Sequence, residues 1–115
     1  MEKKNLSTPD EIRTPLKTRV EVVNFSNSTI MRTTFEPGWQ WSECVKPGVG
    51  TESCQVAHVL YILSGRMAIK MNDAKAIEIG PGDAAEIPPG HDAWVIGSEP
   101  CVVIDFTAGK YYAKK

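Results

Sequence analysis

No apolar run in this chain approaches the length of a membrane-spanning helix, so no membrane association is expected. Charge of one sign is missing too: 13 Lys and Arg stand against 14 Asp and Glu, a formal net charge of −1. Without a basic stripe there is no electrostatic footprint for nucleic acid, and none is expected as a partner. Met1-Glu2-Lys3-Lys4 leads into polar residues and not into an apolar segment, so a secretory signal is not expected. Cysteine is scarce. Cys44, Cys54 and Cys101 are odd in number and lack Cys-x-x-Cys spacing. That argues against a disulfide framework and for three free thiols in a reduced, cytoplasmic protein. Helix-length apolar periodicity and internal repeats are also lacking, which leaves strands as the building material.

What the chain does have is short alternating runs cut by Gly, Pro and Asp. At 115 residues it predicts one domain. The alternation is plainest in Arg66–Met71, where Met67, Ile69 and Met71 alternate with Arg66, Ala68 and Lys70. Arg19–Phe25 and Thr29–Phe35 read as the first two strands, Glu52–Leu63 as a later one, and Ala93–Ile96 and Cys101–Phe106 as the last two. In Cys101–Phe106, Cys101, Val103 and Asp105 share one face, and Val102, Ile104 and Phe106 the other. Eight to ten strands spaced by turns predict an all-β double-sheet jelly roll or barrel. The expected organisation is an N-terminal arm over 1–18, a barrel domain over 19–108 and a tail over 109–115. The arm is read as mobile at its start, or as packing on a partner subunit.

The stretch from Tyr61 to Trp94 resembles the cupin family. Tyr61-Ile62-Leu63-Ser64-Gly65 matches the end of that family's first motif. Gly82-Asp83 through Pro88-Pro89-Gly90 matches most of its second. The resemblance implies a cupin double-stranded β-helix, the jelly-roll barrel. It says less about activity, because one fold hosts many chemistries. In metal-binding cupins the first motif carries His-x-His and then Glu, seven residues before the glycine. Here that last position is His58, and the two histidine positions become Glu52 and Cys54. The second motif's histidine position, three residues after Gly90, is Ala93, with His91 directly after the glycine. Pro-Pro-Gly-His-Asp-x-Trp-Val and Gly38-Trp39-Gln40-Trp41 also resemble a tryptophan-containing cupin subgroup linked to nitrogen-compound metabolism.

Glu52, Cys54 and His58 share strand parity, and His91 and Ala93 share a face of the returning strand. If both faces point inward, a carboxylate, a thiol and two imidazoles converge. These are ligands for a divalent transition-metal ion: zinc, iron, manganese, nickel or copper. The competing reading makes His58 a core histidine bonded to backbone, His91 a turn residue and Cys54 an inert thiol. Asp92 either orients His91 or caps its turn. Trp39 and Trp41, two apart, share a face if that segment is a strand. They are core or interface aromatics or, with Tyr61 and Trp94, the walls of a ligand pocket. The leading functional expectation is a small cupin that binds a small organic ligand in its barrel, with or without a metal. A metal-dependent oxygenase, isomerase or hydrolase is one alternative, and a sensory or structural module with an empty barrel is another. A homodimer is also expected. Arg19–Phe25 is apolar on both faces (Val20 and Val22, then Val23 and Phe25), and one barrel covers only one face. The alternative is an arm that folds back over its own barrel.

Overall fold

The structure, a computed structural model, describes residues 1–44, 57–71 and 74–106. Among them are nine strands: β1 (Glu11–Arg13), β2 (Thr18–Asn24), β3 (Thr29–Phe35), β4 (His58–Ser64), β5 (Arg66–Met71), β6 (Ile77–Ile79), β7 (Ala84–Ile87), β8 (His91–Ile96) and β9 (Cys101–Asp105). A single helical turn, α1 (Trp41–Cys44), accompanies them. The strands form two antiparallel sheets. One has six strands in the order β1-β2-β3-β9-β4-β7, and the other three in the order β6-β5-β8. This is the expected all-β jelly roll of two sheets. Among the described residues no helix is long and apolar enough to cross a membrane.

Period-two alternation explains which faces meet. Along β4 the buried positions are His58, Leu60 and Ile62, and along β9 they are Cys101, Val103 and Asp105. On β3 they are Met31, Thr33 and Phe35, and on β8 His91, Ala93 and Val95. These inward faces enclose one core, to which Val20, Val22, Trp39, Trp41 and Met67 also contribute. Each buried aliphatic side chain of this size stabilises the barrel by about 1.5–3 kcal/mol relative to exposure.

Glycine and proline place the crossings between sheets. The chain leaves the six-stranded sheet at Gly65, returns at Gly82, leaves at Gly90 and returns at Gly97, all at positive φ. The turn before β7 is closed by the Asp83 N–H on Gly80 O at 2.9 Å. Pro81 and Gly82 occupy its centre, the pair that a type II turn favours. Pro89 and Gly90 form a bend before β8 that delivers His91 to the start of its strand.

Two sequence expectations change here. The arm over 1–18 does not stand off the barrel. Its residues Glu11–Arg13 pair with β2 as the sheet's edge strand, and β2 itself begins at Thr18. Upstream, Lys4 Nζ lies 2.7 Å from Asp10 Oδ2, Asp10 Oδ2 accepts from Asn24 N–H, and Glu2 Oε1 accepts from Ser26 N–H. The polar residues that suggested mobility are those that tie the arm to the β2–β3 hairpin. The segment holding Trp39 and Trp41 is not a strand either. Trp39 N–H bonds Glu36 O at 3.0 Å across a Pro37-Gly38 turn, and Trp41 opens α1.

Candidate functional site

The interior contains a small cavity, about 30 Å³, among Met31, Phe35, Leu60, Met67, Ile69, Ile87, Val103 and other apolar side chains. Into this wall the fold inserts Thr33, Trp39, Trp41, His58, His91, Ala93 and Asp105. The two imidazoles sit edge to face with ring centroids 5.1 Å apart.

Both histidines arrive by strand parity. His58 opens β4 and is 7% exposed; His91 opens β8 and is 3% exposed. Asp105 closes β9 and pairs with Leu60, which places it diagonally across from His58. Its Oδ2 lies 2.6 Å from His58 Nδ1. An ionised carboxylate only accepts, so His58 Nδ1 donates. His91 Nδ1 lies 2.8 Å from Pro88 O. A carbonyl also only accepts, so His91 Nδ1 carries a proton, and in the neutral ring Nε2 is the basic nitrogen. Each imidazole is thus fixed in ring orientation by an oxygen at Nδ1. Such an arrangement can accept and return a proton, or hold a polar group in apolar surroundings.

The other candidates divide. Trp39 and Trp41 are each 2% exposed and line the cavity, although a turn and a helix bring them there and not a strand face. Tyr61 does not line it. It sits at an odd position of β4, opposite in parity to His58, and is 39% exposed on the sheet's outer face. Trp94 is likewise on the other face of β8 from His91 and Ala93, where it bridges to Gln40. Asp92 does not orient His91. It accepts from Gln40 Nε2 at 3.0 Å and from Ser42 N–H at 3.2 Å, fastening the tryptophan segment to β8. Ala93 does face the cavity, but with a methyl group. Glu52 and Cys54 lie outside the described residues.

Asp105 and Thr33 are site residues that motif reading passed over. The signal for Asp105 was present, since it is a carboxylate on the same face as Cys101 and Val103. Thr33 carries the same kind of signal between Met31 and Phe35.

The sequence profile of the EutQ-like cupin domain matches residues 37–112. The chain belongs to that family. Its match takes in both histidines, Asp105 and both cavity tryptophans, while β1–β3 precede it. The barrel is similar to the polyketide cyclase RemF of Streptomyces resistomycificus, with TM-score 0.66 and 16% identity over 93% of this chain and 78% of that one. It is also similar to a cupin-like protein of Thermotoga maritima, with TM-score 0.57 and 21% identity over 78% and 67%. KdgF of a Halomonas species aligns with TM-score 0.58 and 16% identity over 84% and 86%. At these identities the likeness shows the cupin fold alone. A 40-residue stretch is 42% identical to heat shock protein beta-3 of Bos taurus. It covers 35% of this chain, and the chain spans only 27% of that protein's length.

Proposed function

We propose that this EutQ-like cupin binds a small organic ligand inside its barrel, with His91 and the His58–Asp105 pair as the polar anchors, and that it works as a homodimer. The observation that supports the ligand reading is the pairing of two buried imidazoles, each fixed through Nδ1, in an otherwise apolar wall. Apolar walls with a few convergent polar groups are what small-molecule sites offer.

The donor set bears on the metal question. Among the described residues no three His, Cys, Asp or Glu side chains form a group that could hold a metal ion. Two imidazoles fall short of the three protein ligands that catalytic zinc sites use, and Asp105 is engaged at His58. The proposal therefore assigns the histidines to hydrogen bonding and proton transfer. A metal site would need Glu52 or Cys54 as well.

The test is a small-molecule screen by ligand-observed NMR on untagged protein, repeated on His91→Ala, with elemental analysis alongside. Expected are hits whose signals vanish in His91→Ala and metal well below one ion per chain. Hits indifferent to His91→Ala, or none at all, would overturn the ligand reading. One tightly held ion per chain that is lost in His58→Ala would replace it with the metal-enzyme reading.

A further inference from the structure

Among the described residues, two buried polar groups in the cavity wall have no hydrogen-bond partner: the Thr33 hydroxyl and the Trp39 indole N–H. Thr33 is 0% exposed and Trp39 2%. Leaving such groups without partners costs free energy, so native interiors rarely keep them unless something else supplies the bond. Both side chains line the same cavity as the histidines. An indole N–H only donates, and a hydroxyl can donate or accept. The shared complement is an oxygen that accepts.

We infer that Thr33 and Trp39 form an acceptor-binding subsite that takes the carbonyl oxygen of a neutral, largely apolar ligand. The inference rests on the ligand reading above and names its chemical class. Charge decides between carbonyl and carboxylate. Asp105, 1% exposed, already places one carboxyl group in this wall, and a second carboxylate beside it in apolar surroundings is disfavoured. A cationic amine fails for a different reason, since it offers nothing for the indole N–H to bond.

Size points the same way. The cavity, about 30 Å³, has room for one or two water-sized groups, enough for a carbonyl group but not for a ligand's body. An apolar groove of about 240 Å³ lies next to it, and Ile69 and Ile87 line both spaces. Pro88, whose carbonyl holds His91, is also in the groove wall. For a ligand to span both spaces, Ile69 or Ile87 must turn aside. A ligand with its carbonyl at Thr33 and Trp39 then lays its aliphatic or aromatic body along Ile77, Ile79 and Met71.

Three probes sharing one pentyl tail separate the possibilities: methyl pentyl ketone, the alkene in which a methylene replaces that ketone's oxygen, and hexanoate. Binding is followed in the nitrogen–proton correlation spectrum, where the Trp39 indole peak is assigned by its loss in Trp39→Phe. The ketone is expected to move that peak and to bind about fivefold to tenfold more tightly than the alkene. Thr33→Val should erase most of that preference without lowering Tm, because it removes a buried unsatisfied group at nearly equal volume, and Trp39→Phe should erase it too while losing the packing of the larger ring. Equal binding of ketone and alkene, or an unmoved indole peak, would overturn the subsite while leaving the ligand reading intact. Tighter binding of hexanoate than of the ketone would overturn the neutral class. If none of the three binds, the orphan donors are serving buried water and the inference fails.

Discussion

Asp105 and Cys101 end the same inward face of β9, and burial treats them differently. Asp105 is matched by His58 at 2.6 Å. Asp105→Ala deletes this buried hydrogen bond and should cost about 1–3 kcal/mol in denaturant unfolding. A cost under about 0.5 kcal/mol would mean that this bond contributes little to stability. Cys101 is 0% exposed, and burial pushes its thiol up from 9.0 to about 11. The unfolded thiol loses its proton first, so at pH between 9.0 and about 11 the unfolded chain binds fewer protons than the native one. Stability then falls as pH rises through that window, by about 2–3 kcal/mol in all. Cys101→Ala should lower stability at neutral pH yet flatten this alkaline slope; an unchanged slope would remove Cys101 as its source. At this scale the sequence was legible wherever parity decided. His58, His91 and Ala93 face inward as their positions imply. Tyr61 and Trp94 sit one step along their strands from the inward positions, and one step is the other face. Asp105 was missed because it belongs to no motif, although its neighbours Cys101 and Val103 mark its direction.

The elements carry a second kind of information, in the turns. Pro81-Gly82, Pro89-Gly90 and Gly65 were readable as strand breaks because the backbone there adopts conformations that few residues accept. Gly65 shows how strict such a position can be. Its φ is +75, and a Cβ would run into the Pro100 carbonyl oxygen and come within 2.6 Å of Cys101 Cα, both of them backbone. Neither can yield without shifting the β4–β9 pairing, which already carries a register shift between Ile62 and Ser64. Gly97 has a similar φ of +86, with nothing within 4 Å of a Cβ. Gly97→Ala should therefore cost only its conformational penalty, about 1 kcal/mol, and Gly65→Ala more than about 3 kcal/mol. Equal losses of Tm in the two variants would contradict this. The Trp39–Trp41 segment was less legible. Two aromatics at spacing two suggest a strand, but Pro37-Gly38 turns the chain just before them. What then holds them are bonds distant in sequence, Asp92 to Gln40 and Ser42, and Val95 N–H to Trp39 O.

For the whole molecule, the question is what covers the outside of the six-stranded sheet. The expected dimer rested on β2 being apolar on both faces, and that premise changes. Val20 and Val22 are 0% exposed, and Val23 on the opposite face is 2% exposed within a single chain. Glu21, beside it, accepts from Arg32 Nε at 2.8 Å and Nη2 at 3.1 Å. β2 therefore needs no partner subunit. Among the described residues, besides Ile12 on β1 at 46%, exposed apolar side chains lie further along the sheet, where Val59, Tyr61 and Leu63 of β4 are 39%, 39% and 48% exposed and Phe106 is 49% exposed. Val102 and Ile104 of β9, half-buried, lie on the same face, and Tyr61 pairs with Ile104. None of these six side chains is charged, so a two-fold axis can set the patch against itself without opposing like charges. Aromatic residues at its centre and edge fit interface composition. The homodimer is therefore expected to form back to back through β4 and β9, leaving the arm outside the contact. In multi-angle light scattering the wild type should have twice the chain mass, and Leu63→Glu should have the single-chain mass with an unchanged circular dichroism spectrum. Ile77, 68% exposed on the other sheet, is the control: Ile77→Glu should remain a dimer. A monomeric wild type at tens of micromolar, or a Leu63→Glu protein that still pairs, would refute this arrangement.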